Sequence, residues 1–174
     1  MKLLEEEKDN LERIYQAFLH DPKVLRMKEI PMHRGSNCYE HSFKVAKLAI
    51  KIALKRKNIN LENLLLGCIL HDYYLYNWRE DKTKKWHGHK HPYLAAQNAF
   101  EDFKISTEIQ KLITSHMWPI NFFNFPNSKE AKILSTADKR VAMKEALTSK
   151  KYKEEHRKET LVFISHLFEP KKQN

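Results

Sequence analysis

In the run ILHDYYLYNW, residues 69–78, an imidazole and a carboxylate, His71 and Asp72, interrupt a stretch that is otherwise apolar and aromatic. His41, His116 and Asp138 likewise fall within or at the end of segments that read as core, and His91 stands at the start of another. A charged aspartate buried alone costs several kcal/mol even after relaxation. Hydrogen bonds from backbone or imidazole can compensate any one of these residues. A bound cation compensates them together, and it accounts for all of them being either imidazole or carboxylate. Cys38 and Cys68 each precede one of the histidines by three residues, in CYEH and CILH. That spacing leaves a structural zinc site of two cysteines and two histidines as an alternative. Against it, Cys68 lies in an unbroken apolar run, where cysteine usually packs.

Five motifs, YEHSFKVAKLA (His41), CILHDYYL (His71, Asp72), HPYLAAQNA (His91), TSHMWP (His116) and STADKR (Asp138), carry a resemblance. In order and approximate spacing they resemble the HD-domain superfamily of metal-dependent phosphohydrolases, over about residues 37–146. An isolated HD dipeptide would say little, whereas five ordered elements on helices of the expected character are hard to obtain by accident. The additional histidine between the HD pair and the last aspartate is similar to the two-metal branch. The resemblance implies that His41, His71, Asp72 and Asp138 hold one metal. It implies that His91, His116 and a shared Asp72 hold the second. Nitrogen and oxygen ligation without thiolates suits one or two divalent or transition ions, iron, manganese, magnesium, cobalt or nickel, in roughly octahedral geometry. The implied chemistry is attack by a metal-held hydroxide on a phosphoryl group, with His71 and Asp72 at the catalytic centre.

The sequence departs from the better-known two-metal members in two places. They continue after the HD pair with Ile-Gly and a lysine, whereas here Tyr73, Tyr74, Leu75, Tyr76, Asn77 and Trp78 follow. Lys139, beside Asp138, is the expected replacement as the catalytic, phosphate-contacting cation, with Arg34 and Arg140 as further substrate-binding candidates. Trp118, Tyr73 and Tyr76 are candidates to line a nucleobase pocket, in competition with core filling. The second departure is HMWP, where some relatives have two consecutive histidines. A mononuclear site therefore stays open, and His87 and His89 of HGHKH are either additional ligands or loop residues. The implied function is hydrolysis of a phosphate ester or anhydride of a nucleotide or other small phosphorylated molecule. Two other readings stay open: a non-catalytic, metal-containing module that senses a nucleotide, and a di-iron oxygenase on the same fold.

Helices must bring these residues together. The periodicity predicts an all-α domain of about seven helices. The first spans about residues 3–19, with Leu4, Leu11, Ile14, Tyr15, Phe18 and Leu19 in a stripe, and Asp21-Pro22 opens a short second one before residue 28. After the loop PMHRGSN, Asn37 and Glu40 form a capping pair for an amphipathic helix that buries Val45, Leu48 and Ile52. The next helix starts after Asn60 and is expected to continue through ILHDYYLYNW. Residues 79–90 read as a polar surface loop. Helices follow in HPYLAAQNAFEDF with Pro92 early, in STEIQKLITSHMW with Thr107 and Gln110 as caps, and in NSKEAKILSTADKRVAMKEAL. A basic helix at about 151–168 completes the chain. No repeat, low-complexity tract or linker divides it, so 1–174 reads as one domain.

Composition bounds the rest. The 174 residues contain 3 Gly and 6 Pro, too few for the turns of a strand-rich protein. The net charge of +10 suits nucleic acid, but the lysines of KLAIKIALKRKN recur on the wet side of a helix and no aromatic-and-basic recognition motif accompanies them. Specific nucleic-acid binding is not expected. The same charge draws small phosphorylated substrates. No stretch approaches the roughly 20 apolar residues of a membrane span, the opening MKLLEEEKDN is acidic rather than signal-like, and two cysteines make no disulfide framework. These features read as cytoplasmic, with no membrane association. Nothing in the sequence indicates an oligomeric state.

Overall fold

A computed structural model describes residues 3–32, 35–77, 80 and 86–148. These residues form an all-α fold of seven helices: α1 (Glu5–His20), α2 (Pro22–Leu25), α3 (Cys38–Ala53), α4 (Leu61–Leu70), α5 (His87–Phe103), α6 (Thr107–Ser115) and α7 (Lys129–Leu147). A 3-10 turn, Arg26–Glu29, continues α2. The basic helix expected at 151–168 lies outside the described residues, as does Arg34. None of the described helices is long and apolar enough to cross a membrane.

Local chemistry sets the helix starts. Asp21 accepts from the backbone N–H groups of Lys23 and Val24 ahead of Pro22, a residue that lacks the N–H a first turn would leave unsatisfied. Asn37 caps α3 by accepting from Glu40 N, and its own amide reaches the Glu40 carboxylate. Asn60, Ser106 and Ser128 cap α4, α6 and α7 in the same way. The α6 cap is therefore Ser106 rather than the expected Thr107, which occupies the first helical position.

α6 contacts α4, α5 and α7, and α3 packs against both α4 and α7, which also touch each other. The buried residues of α3 include Phe43, Val45, Ala46, Ala49 and Ile50. Phe43 meets Tyr15 of α1 edge to face at 5.2 Å and Tyr39 at 4.7 Å. Full burial of one such ring contributes about 1.5–3 kcal/mol. Tyr39 also donates its hydroxyl to the Leu19 carbonyl at 2.7 Å, tying α3 to the end of α1.

Two expectations about the elements around the HD pair are corrected. α4 ends at Leu70, so His71 is its C-terminal cap and the helix does not run through ILHDYYLYNW. Tyr73 and Tyr74, which follow, are buried from a non-helical segment. Tyr73 donates its hydroxyl to Asp102 at 2.7 Å, and its carbonyl accepts from Asn98 of α5 at 3.1 Å. Tyr74 accepts from the Cys38 thiol at 3.1 Å. In addition, α5 begins at His87, so His87 through Lys90 are helical rather than part of a surface loop, and Pro92 sits inside the helix. Tyr76 donates its hydroxyl to His87 Nδ1, or accepts from it, at 2.7 Å, which anchors this first turn.

At Gly67, α4 packs tightly on α6: a Cβ there would lie 3.1 Å from Leu112 Cδ1 and 3.3 Å from Leu112 Cβ. Gly67→Ala is expected to be close to neutral, because its gain in helix propensity of about 1 kcal/mol opposes a small displacement of Leu112. Gly67→Leu is expected to destabilise by about 1–3 kcal/mol through overpacking, read as a lower midpoint in urea unfolding.

Candidate metal centre

Each of the four motif histidines has its Nδ1 engaged on the side away from the centre. His71 Nδ1 donates to the Cys68 carbonyl at 2.8 Å, and His116 Nδ1 donates to the Ile113 carbonyl at 2.6 Å. Both are C-terminal caps, of α4 and α6, and both use the carbonyl three residues back. Carbonyls of a last turn are short of intrahelical donors, so the ring engages one of them and is oriented by doing so, although the Ile113 carbonyl also accepts from the His116 N–H at 3.4 Å. His91, in the second turn of α5, donates from Nδ1 to the His87 carbonyl at 3.0 Å. His41 differs, because its Nδ1 meets a side chain, Glu145 Oε2 of α7, at 2.9 Å.

A carbonyl oxygen only accepts, so the proton sits on Nδ1 of His71, His91 and His116. Their Nε2 atoms then present lone pairs toward one another and toward two carboxylates. His91 Nε2 and His116 Nε2 are 3.0 Å apart. Asp72 Oδ1 lies 3.3 Å from His91 Nε2 and 3.8 Å from His116 Nε2, and Asp72 Oδ2 lies 3.4 Å from His71 Nε2. Asp138 Oδ1 is 3.1 Å from His41 Nε2 and 3.8 Å from His71 Nε2. All six residues are buried. His71 Nε2 and Asp72 Oδ1 lack a well-formed hydrogen bond in this setting. Buried acceptors facing buried acceptors are costly unless a cation or proton stands between them.

The geometry fits a cation. Two groups of donor atoms lie close enough to share an ion, His41, His71 and Asp138 in one and His71, Asp72 and His116 in the other. His91 adjoins the second through its contacts with His116 and Asp72. The C-termini of α4 and α6 meet here, and their partial negative charge also favours a positive ion.

The charge states follow from the same contacts. Burial pushes the His41 pKa down, but hydrogen bonds to Asp138 and Glu145 outweigh it and carry it up to about 10. Burial and then the neighbouring His71 and His91 lower His116 to about 3, so its ring is neutral. Burial would raise Asp72, yet His71 and His91 hold it far below the usual carboxylate range. Asp138 is held low by His41 and His71 in the same way, against burial.

The remaining candidates are placed differently. Lys139 is directed along α7 and the end of α6: its amine donates to the His116 carbonyl at 3.3 Å and to Ser135 Oγ. In that position it caps α6 and supports His116. Arg140 is exposed on the same helix. Trp118 is half-buried and stacks edge to face on Phe125 at 5.3 Å, whereas Tyr73 is core. His87 stacks on His91 at 4.6 Å, and burial followed by His91 lowers its pKa to about 4. His89 is directed toward the next loop, with Nδ1 2.8 Å from Asn121 Oδ1. Neither cysteine belongs to a donor group among the described residues, and burial pushes both thiols up, away from the thiolate that zinc requires.

Two participants were absent from the sequence reading. Glu145, in the lysine-flanked MKEAL, looks like solvated charge, but it is buried against His41. Lys44 donates to its other oxygen at 2.8 Å. The available signal was spacing: Glu145 lies two helical turns after Asp138 and so shares its face.

The family model for the HD domain matches residues 38–143, and the chain belongs to that family. The span includes His41, the HD pair, His91, His116 and Asp138. No curated protein and no solved structure matches the chain significantly.

Metal and proton compete for His41. Its ordinary pKa is 6.5 and its folded value about 10, so the metal-free fold gains stability that is complete below pH 6.5 and is lost as pH rises through about 10. Urea unfolding of chelator-treated protein is expected to show this decline. Metal affinity is expected to rise across the same window, by about tenfold per pH unit for each proton displaced, as read by calorimetry in two buffers of different ionisation enthalpy.

Proposed function

We propose that the protein is a metal-dependent phosphohydrolase that cleaves a phosphate ester or anhydride of a small phosphorylated molecule, most plausibly a nucleotide. The family includes metal-dependent phosphohydrolases. The observation that carries the reading is the convergence of four imidazole Nε2 atoms and two carboxylates in one buried site, where His71 Nε2 and Asp72 Oδ1 lack a hydrogen-bond partner.

The first ion would be held by His41, His71, Asp72 and Asp138, and a second by His91, His116 and the shared Asp72. A metal bound there supplies a Lewis acid for the phosphoryl oxygens and an activated water at neutral pH. The chain's own part is positional. The Cys68, His87 and Ile113 carbonyls and Glu145 fix the tautomer and direction of the four rings. The buried Asp72 keeps its charge because imidazoles surround it, which leaves an oxygen for each ion. Lys139 and Arg140 on α7, with Arg34 before α3, supply positive charge for a phosphate, and the net charge of +10 steers anions toward the protein.

The donor set also narrows the ion. Four imidazoles beside two carboxylates are a poor match for magnesium, which prefers oxygen and retains its waters. They suit iron, manganese, cobalt or nickel better. Iron would also permit the oxygenase reading, and oxygen consumption without phosphate release would favour it.

Purified protein is expected to contain a transition metal by elemental analysis and to release phosphate from a nucleotide panel or an aryl phosphate. Residues that merely support ligands are worth about 10–100-fold, so Asp72→Ala, which removes a ligand, is expected to lower turnover by more than about 100-fold and to reduce metal content. Metal-loaded wild-type protein that is silent across the panel but stabilised by a nucleotide would replace the hydrolase with a sensing module.

A further inference from the structure

His41 is the one motif histidine whose outer nitrogen rests on a charged side chain rather than a helix carbonyl. Its partner, Glu145, is 104 positions away and 4% exposed. A buried carboxylate needs compensation, and it is present: one oxygen accepts from His41 Nδ1 at 2.9 Å, the other from Lys44 Nζ at 2.8 Å. The contacts form a closed frame between two helices. α3 contributes His41 and, three residues on, Lys44. α7 contributes Asp138 and, two turns on, Glu145. Asp138 thus meets the inner nitrogen of the ring while Glu145 holds the outer one, so a single helix fixes both ends of the imidazole.

Chemically, this differs from the other three rings. A carboxylate on the N–H of an imidazole makes the opposite nitrogen a better electron donor than a carbonyl does. His41 also lies in the first turn of α3, without a last-turn carbonyl of its own to rest on. We infer that Glu145 is a positioning residue of the metal centre, which fixes His41 so that Nε2 faces the ion, and that Lys44 holds Glu145 in place for this task. The inference rests on the metal-dependent reading above and adds to it the means by which α3 and α7 are brought into register at the ion.

The test uses the whole chain, stripped with chelator and titrated with Co2+ alone, following the visible spectrum, with thermal melting of the metal-free protein in parallel. Glu145→Ala is expected to weaken Co2+ binding by about 10–100-fold and to alter the Co2+ absorption, whereas Glu145→Gln, whose carbonyl oxygen can still accept from Nδ1, retains most of the affinity. A purely structural Glu145 would lower the melting temperature while leaving Co2+ affinity and spectrum unchanged in the folded fraction, and that result overturns the inference. If the alanine variant does not fold, 15N NMR of zinc-loaded wild-type protein decides: a proton on His41 Nδ1 with metal on Nε2 supports it, and ligation through Nδ1 overturns it. Wild-type protein that takes up no Co2+ would bring down the metal-dependent reading, and the inference with it. Normal uptake by wild type with equal uptake by Glu145→Ala overturns the inference alone.

Discussion

Electron pairs facing electron pairs in a dry interior are the constraint around which this molecule is organised. His91 Nε2 approaches His116 Nε2 to 3.0 Å, and two carboxylates stand among the rings. His71, His91 and His116 have each given their Nδ1 proton to a carbonyl on the far side, and among the ring nitrogens it is His41 Nε2, facing Asp138 at 3.1 Å, that carries a proton inward in the metal-free fold. In the absence of metal a proton must serve, and the raised His41 pKa is the signature of that substitution. The fold therefore holds together a set of groups that would separate if left to themselves, and hydrophobic packing of α3 against α4 and α7 opposes that tendency.

The precision of the arrangement comes from helix ends rather than helix middles. α4 and α6 stop just before His71 and His116, and in each case the ring turns back onto the carbonyl three residues earlier. A last-turn carbonyl is engaged, a tautomer is fixed and a lone pair is aimed inward by the same contact. α6 is then locked by α7, since the His116 carbonyl accepts from Ser135 Oγ at 2.9 Å and from Lys139. Lys139 accordingly has a supporting position in this structure, and a phosphate that recruits it must compete with a carbonyl for its amine.

Much of this was legible in the sequence because buried imidazole and carboxylate are conspicuous against an apolar pattern. The all-α class and the Asn37 cap followed from local periodicity and side-chain chemistry, and the ordered motifs from their resemblance to the HD-domain superfamily. What misled was continuity of composition. Tyr73 and Tyr74 prolong the apolar run of α4, so the helix seemed to extend beyond Leu70, when those aromatics are buried from a non-helical segment by contacts with Asp102, Asn98 and Cys38. His87 and Gly88 read as loop because glycine and charge dominate the neighbourhood, although the Tyr76–His87 contact draws that turn into α5. Glu145 was invisible for a different reason. Burial of a charge is a property of the partner that meets it, and Lys44 and His41 are 101 and 104 positions away.

Formal charge suggests why such a centre would need more than one ion to act on a phosphate. With neutral imidazoles, Asp72 and Asp138 together carry two negative charges, and the Glu145–Lys44 pair cancels itself. One divalent cation would only neutralise the ligands, giving a stable but electrostatically indifferent site. A second would leave a net excess of two positive charges in a low-dielectric pocket, where their attraction for a phosphoryl group is far stronger than in water. The nitrogen-rich side formed by His91 and His116 adds ligands without adding negative charge, and so would let the second ion bind without cancelling that excess. Imidazole at these two positions, rather than carboxylate, is thus the choice that would convert a metal site which merely stabilises the fold into one able to draw in an anion.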